Sequence, residues 1–565
     1  MKLKSIAFLV SLCLLQQVTA DQSLDESEQL ASHAGSTLKH LGAFLEGKKQ
    51  TADLVSEVDA GMKVQYGKAS VVPTNALLGG FQLADKEEIK THQDASLAEW
   101  AASYGGKIVR TKFKVVRVVP DPKDKKLFKT EQLFEALVHG EQGQREIHQY
   151  WKASWRLADG HAVLLSLRET KREFAGLKGG ATAFADHTAD VLQLDDKELA
   201  KTLSHGANYW MRRLENAVKP DFFGQNGVSV ADVDGDGRED VYVAQQAGIP
   251  NQLFIGQADG SYKEAANVHG LAILENTTCS LFVDLDNDGD QDAVIATSSG
   301  VAVFQNPGGG KYKLVKLMEE VPFIYGISAA DYNADGLVDL YLCQYYTSTS
   351  EKSKQGKSRG NFPVPYPIYD ANNGGRNALL KNLGKIQFED VTDSVGLNVM
   401  NSRYSYAAMW EDWDNDGDQD LYVANDFGRN NYYQNDQGKF RDASNEVGLN
   451  TKAFGMGVTS GDYDGDGWLD IHVSNMFSSA GNRVTTQPAF KPNSGQEVKS
   501  IFLHLARGNA LMMNKAGKFS DKSVDAGITV GRWSWASLSP DLNNDGYEDL
   551  LVANGFVTGK KYDDL

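Results

Sequence analysis

Cysteine is nearly absent from this chain, which has three in 565 residues. Cys13 lies in an apolar N-terminal run, and Cys279 and Cys343 are too few for a disulfide framework, so both are expected to be buried and free. Long hydrophobic runs are missing as well. The N-terminal one, Ile6 to Leu15, is half of the roughly 20 residues that a membrane-spanning helix needs. Positive charge is in deficit: 57 Lys and Arg stand against 75 Asp and Glu, a formal charge of -18 that argues against nucleic acid as a partner. Catalytic signatures are lacking too, with no HExxH, no Gly-x-Ser-x-Gly, no CxxC and no phosphate-cradling loop. The 11 histidines are scattered, and one such as His472 within a strand reads as a packing residue.

The N-terminus has the features of an export signal. Lys2 and Lys4 precede the apolar run, and Val18-Thr19-Ala20 gives a small-residue cleavage pattern, so residues 1–20 are expected to be removed. Leu12 ahead of Cys13 stands where a lipid-modified signal carries a small residue, so no lipid is expected. The expectation is a secreted protein: extracellular, at the cell surface or periplasmic. Exported proteins with so few disulfides need another staple, and metal is the obvious one.

The remaining chain exceeds one ordinary core. Residues 21–50 read as an exposed polar helix or spacer, 51–178 as an α+β domain, and 179–565 as a repeat domain with insertions at 350–375 and 476–507. Within 51–178, Thr111 to Val119, Ile147 to Leu157 and Ala162 to Arg168 alternate as strands do, with a turn at Asp159-Gly160. Ile147, Gln149, Trp151, Ala153 and Trp155 share one face. Helices followed by long curved antiparallel strands resemble the NTF2-like cone fold, read here as a scaffold.

Self-similarity dominates the second half. Six segments align without gaps over nine positions, carrying side-chain oxygens at the first, third, fifth and ninth. They are Asp232, Asp234, Asp236 and Asp240; Asp284, Asp286, Asp288 and Asp292; Asp331, Asn333, Asp335 and Asp339. The other three are Asp412, Asp414, Asp416 and Asp420; Asp462, Asp464, Asp466 and Asp470; Asp541, Asn543, Asp545 and Asp549. Glycine stands sixth in every one, permitting the sharp turn that aims the seventh carbonyl inward. Hard oxygen ligands at this spacing wrap around calcium, and so many carboxylates within a few ångströms repel without a divalent ion. About six Ca2+ ions are expected. The flanks are strands such as Val241-Tyr-Val-Ala and Leu421-Tyr-Val-Ala, not the helices of an EF-hand, so each loop is a metal-stapled hairpin.

A second half-repeat follows, as in Asn377-Ala-Leu-Leu-Lys-Asn382, Asn431-Tyr-Tyr-Gln-Asn435 and Asn509-Ala-Leu-Met-Met-Asn514. It implies two more strands per unit, and four antiparallel strands every 50 or so residues make the blade of a β-propeller. These residues resemble the FG-GAP (VCBS-type) repeat of integrin α-chain propellers and of bacterial relatives of the cartilage acidic protein family, over roughly 180–565. Phe223-Gly224 and Phe454-Gly455 match the Phe-Gly element, with Tyr325-Gly326 as a variant; the Gly-Ala-Pro part is not evident. The resemblance implies calcium ligands at the loop carboxylates and no enzyme activity.

The fold class expected is therefore mainly β: a calcium-stapled propeller with six loops and six or seven blades, preceded by a smaller α+β domain. Phe184-Ala-Asp-His-Thr188 mimics Phe388-Glu-Asp-Val-Thr392 and is expected to donate the outer strand that closes the ring. Insertions join strands two and three and so leave the blade opposite the metal loops, on the expected recognition face. There, Ser494 and Glu497 read as a capping box for a short helix. On that face too, Arg403, Tyr404 and Tyr406 share a register with Arg532, Trp533 and Trp535 as candidate ligand contacts, with inter-blade packing as the plainer account. The function expected is an extracellular recognition or adhesion module for a protein or polysaccharide; the alternative is a secreted carbohydrate-active lyase or hydrolase on the same scaffold.

Overall fold

The computed structural model describes residues 22–67, 75–76, 81–140, 143–178, 187–192, 203, 226–346, 364–542 and 544–555. The expected signal 1–20, Phe184 to Asp186, Phe223-Gly224, Asn543 and most of the insertion 350–375 lie outside these residues. Two compact units form: one holds the N-terminal region to Ala185 together with Ser478–Arg507 and Asp541–Gly546, the other the rest.

In the first unit four long strands, Lys107–Pro120, Leu127–Gly140, Gly143–Ala158 and His161–Lys178, form an antiparallel meander extended by Phe81–Glu88. The turn at Asp159-Gly160 has both residues at positive φ, the twist that a two-residue hairpin favours. The alternation read from sequence is realised: Ile147, Gln149, Trp151, Ala153 and Trp155 are all buried, and His148, Lys152 and Arg156 are exposed. Burying each large apolar side chain contributes about 1.5–3 kcal/mol.

The helix Gln22–Leu45 corrects one expectation. It is not exposed: Leu30, Ala34, Leu38, Leu41 and Leu45 form a buried stripe, and Thr37 Oγ1 donates to the Ala162 carbonyl at 2.7 Å. Sparse leucines suffice because they recur at helical spacing.

The second insertion also departs from the reading of a recognition face. Its helices, Ser479–Thr485 and Gln496–Arg507, belong to the first unit. Arg483 pairs with Glu28 at 2.8 Å and donates to the Val115 carbonyl at 2.7 Å, and Gln487 Nε2 donates to the Val118 carbonyl at 2.8 Å. The second helix starts at Gln496, which puts Gly495 and not Ser494 at its N-cap, and Gly508 at φ +101 ends it.

Among the described residues the second unit holds five four-stranded antiparallel sheets, one two-stranded sheet in sequence with them, and a small two-stranded pairing of Gly428–Arg429 with Lys452–Ala453. Repeat one comprises Val228–Ala231, Asp240–Val243, Gln252–Gly256 and Tyr262–Glu264; repeat two Thr277–Val283, Asp292–Thr297, Gly300–Gln305 and Lys313–Met318. Repeat three comprises Ile324–Ala330, Asp339–Gln344, Ala378–Asn382 and Phe388–Asp390; repeat four Tyr404–Glu411, Asp420–Asp426, Asn431–Asp436 and Lys439–Asp442. Repeat five comprises Gly455–Gly461, Asp470–Asn475, Ala510–Lys515 and Lys518–Asp521, and repeat six Ser534–Leu538 and Leu551–Asn554. The expected closing strand, Phe184 to Thr188, lies mostly outside the described residues, and Thr188–Val191 is a helical turn.

Why strand two of these sheets reads as an unbroken apolar run follows from its two faces. In repeat four Leu421 and Val423 pack with Tyr341, Cys343 and Leu379 of repeat three. Tyr422 and Ala424 pack with Ile471, Val473 and Met512 of repeat five. Sheets two, three and four are thus each sandwiched between their sequence neighbours, and alternate residues serve different cores. Both cysteines are free, with Cys343 buried in this packing.

Candidate metal centres

Each Asp-rich segment is the turn between strands one and two of its sheet, and backbone geometry explains its composition. The sixth-position glycines all lie at positive φ, from +83 at Gly237 to +98 at Gly417. The fourth position is left-handed as well, held by Gly235, Asn287, Ala334, Asn415, Gly465 and Asn544. Two left-handed residues coil the chain so that amides point inward. The first Asp collects them: the N–H groups of the fifth and sixth residues donate to its two oxygens at 2.7–3.2 Å in all six loops.

The ninth residue is anchored differently. Asp240, Asp292, Asp339, Asp420 and Asp470 are buried, and each accepts the N–H of a residue in or directly after the third strand, namely Gly256, Asn306, Asn382, Asn435 and Asn514, at 2.7–2.8 Å. Burial outweighs these donors and, helped by neighbouring carboxylates, pushes Asp292 and Asp470 up to about 6 and Asp339 and Asp420 up to about 7. These anions are crowded as well as desolvated.

The third residue provides the test of fit. Asp234 Oδ1, Asp286 Oδ1 and Asp414 Oδ1 are buried acceptors with no hydrogen-bond donor among the described residues. An ionised oxygen in that state is costly unless a cation meets it. Ligand oxygens lie within 4.8 Å of one another in Asp232, Asp234 and Asp240; Asp284, Asp286 and Asp292; Asp412, Asp414 and Asp416; and Asp462, Asp464 and Asp470. An all-oxygen set of this charge fits a hard divalent ion. Asp541 and Asp545 close the same backbone turn in the sixth loop.

Sequence reading singled out the second half-repeat but missed that its last asparagine ties the loops together. Asn306, Asn382, Asn435 and Asn514 each send Nδ2 to two carbonyls: the eighth residue of their own loop and the second residue of the preceding one. For Asn435 these are Gln419 at 3.0 Å and Tyr332 at 2.9 Å. A second conserved role falls to Asn251, Asn377, Asn430 and Asn509, whose Oδ1 accepts the N–H that follows strand two or ends it. In repeat four this residue is Asn430, which corrects the alignment on Asn431. The motif pair Asn-x4-Asn was the legible signal.

The candidate ligand residues are placed as follows. Arg403 is 1% exposed, and its Nη1 donates to Asp370 Oδ1 at 2.9 Å, with Arg429 on the other oxygen at 2.7 Å. Tyr404 and Tyr406 are buried in a cluster with Tyr325, Tyr345 and Tyr346, and Trp535 meets Tyr406 at 6.0 Å between ring centroids. Arg532 and Trp533 are half-buried. Tyr406 and Trp535 are therefore brought together, whereas Arg403 is engaged internally with Asp370.

Among the described residues, no helix is long and apolar enough to cross a membrane. A family model for the FG-GAP-like repeat matches residues 232–292, 284–342 and 412–473. Mouse cartilage acidic protein 1 is 24% identical over 352 residues, 58% of this chain and 48% of that protein. This chain thus spans about half the length of that relative. Among solved structures, an Agrocybe aegerita lectin recognising non-reducing terminal N-acetylglucosamine aligns at 14% identity and TM-score 0.33, over 59% of this chain and 75% of that one. The V. cholerae biofilm matrix protein Bap1 aligns at 13% identity and TM-score 0.29, over 53% of this chain and 38% of that one. The repeats and the mouse relative together make this chain an FG-GAP repeat protein related to the cartilage acidic protein family.

Proposed function

We propose that the chain is a secreted calcium-binding β-propeller that serves as an extracellular recognition or adhesion module for a protein or polysaccharide. In this reading residues 179–565 form the ring, 51–178 a separate α+β domain, and the carboxylates of every loop but the third are Ca2+ ligands at the positions named above. The observation that carries the metal assignment is the buried third-position oxygen without a donor, repeated at Asp234, Asp286 and Asp414. The sandwiching of sheets two to four between their sequence neighbours supports the radial arrangement. Ions held this way are structural staples, and their binding energy is folding energy. The export-signal pattern at 1–20 and the acidic surface support action outside the cytoplasm, where calcium is plentiful. A glycan and matrix-protein array, read in calcium for both binding and cleavage, tests the role. Binding without turnover is expected; cleavage of any arrayed glycan would sink the module reading.

A further inference from the structure

The six loops are not equivalent, and the third alone combines three features, of which the asparagine at the third position recurs in loop six as Asn543. In loop three the third position is Asn333 instead of a carboxylate. Its fourth, at φ +54, is Ala334, where the other loops place glycine or asparagine, the residues that accept this backbone region readily. Its fifth, Asp335, is met by a cation from strand three, Lys381, whose Nζ lies 2.9 Å from Asp335 Oδ2, whereas Asp236 of loop one pairs with Arg238 of its own loop.

Lys381 occupies a specific site in the repeat. It precedes Asn382 in strand three, and the matching residues are Ile255, Gln305, Gln434 and Met513. In repeats two and four that residue is glutamine, and its amide donates to the third-position carboxylate: Gln305 Nε2 to Asp286 Oδ2 at 2.7 Å, and Gln434 Nε2 to Asp414 Oδ2. Strand three therefore aims one side chain at the loop in each case. Where it is glutamine, the loop keeps all its charge and the side chain orients a ligand oxygen. Loops two and four also carry a fifth carboxylate, Asp290 and Asp418. Where it is lysine, one carboxylate is missing and another is neutralised.

We infer that the third loop is closed by the Lys381 ammonium in place of a calcium ion, so that repeat three is a metal-free link between two metal-dependent ones. A divalent ion there would meet two carboxylates, Asp331 and Asp339, and the neutral amide oxygen of Asn333, with an ammonium competing for the third carboxylate. This rests on the calcium reading of the other loops, and the test separates the two. The full chain is dialysed at fixed free Ca2+, and bound calcium per chain is counted for wild type, for Asp331→Asn, and for Asn333→Asp combined with Lys381→Gln, which rebuilds the pattern of repeats two and four. Circular dichroism checks that each variant is folded. The expected result is that Asp331→Asn leaves the count unchanged and the double variant gains one ion per chain. A wild type that loses one ion on Asp331→Asn overturns this inference alone. A wild type that binds no calcium overturns it together with the metal reading.

Discussion

Removing calcium is the perturbation with the largest expected effect. In four loops, three ligand oxygens lie within 4.8 Å of one another. Two unit charges at that distance repel by about 0.9 kcal/mol at the dielectric of water and about 3.5 kcal/mol at an effective value of 20. Three pairs per loop give from about 3 to about 10 kcal/mol, and the half-exposed first and third residues favour the lower end. Binding gives a second route to the figure: a ligand at 100 times its Kd adds about 2.7 kcal/mol per site. Four such sites then contribute about 10 kcal/mol, and for a unit this size each kcal/mol moves Tm by about 2 °C. Calorimetry in millimolar Ca2+ and after chelation should show the transition of the repeat unit falling by roughly 20 °C by the same scaling. Mg2+ should restore little, because it demands a tighter octahedral site. Coincident melting curves, once elemental analysis shows the metal gone, would refute the reasoning.

Asn514→Ala should destabilise repeat five by about 1–3 kcal/mol in denaturant melts, because the carbonyls of Trp413 and Leu469 lose their shared donor. Arg172→Ala should cost about 3–5 kcal/mol in the unfolding of the first unit, since it strips the guanidinium from Glu169, whose side chain is 0% exposed. Asp426, 3% exposed beside Tyr345 and Tyr404, has its carboxyl pushed up to about 7 by burial, so the folded state holds a proton that the unfolded state releases near pH 4. That contribution is present at pH 4 and lost as pH rises to 7, so Asp426→Asn should gain up to about 4 kcal/mol at pH 8 and nothing at pH 4, read as the difference between the two stability curves.

The loops and their flanking strands were legible because they rest on local chemistry: a carboxylate every second residue, glycine sixth, and strands apolar on both faces. The left-handed fourth position went unread, although five of the six loops carry glycine or asparagine there. Long-range partners were not legible. Leu30, Leu38 and Leu41 sit among polar neighbours that made their helix read as exposed, and no local pattern names what they pack against. The helices of the second insertion show the same limit: their amphipathic pattern predicts burial, and only the tertiary contacts of Arg483 and Gln487 tell which sheet provides it. Burial of Arg403 is a further instance, because its partner Asp370 lies 33 residues away in an insertion.

The asparagine bridges change how the loops should be understood as a set. The second-position carbonyls of loops one to four, at Val233, Leu285, Tyr332 and Trp413, are each held by the asparagine of the following repeat. The ninth carboxylate is held by a residue in or directly after strand three of the loop's own repeat. A cation between these anchors therefore links two repeats as well as closing one turn. Loop five breaks the series. Repeat six as described has only two strands and no such asparagine, and Tyr463 instead reaches across with its hydroxyl to Ser539. One hydroxyl contact replaces a bifurcated amide, so opening of loop five should be the least coupled to its neighbour. Amide hydrogen exchange in calcium should find Asp466 and Gly467, whose N–H groups both rest on Asp462, exchanging faster than Asp416 and Gly417 on Asp412. Equal protection in the two loops would mean that the asparagine bridges do not transmit stability between repeats.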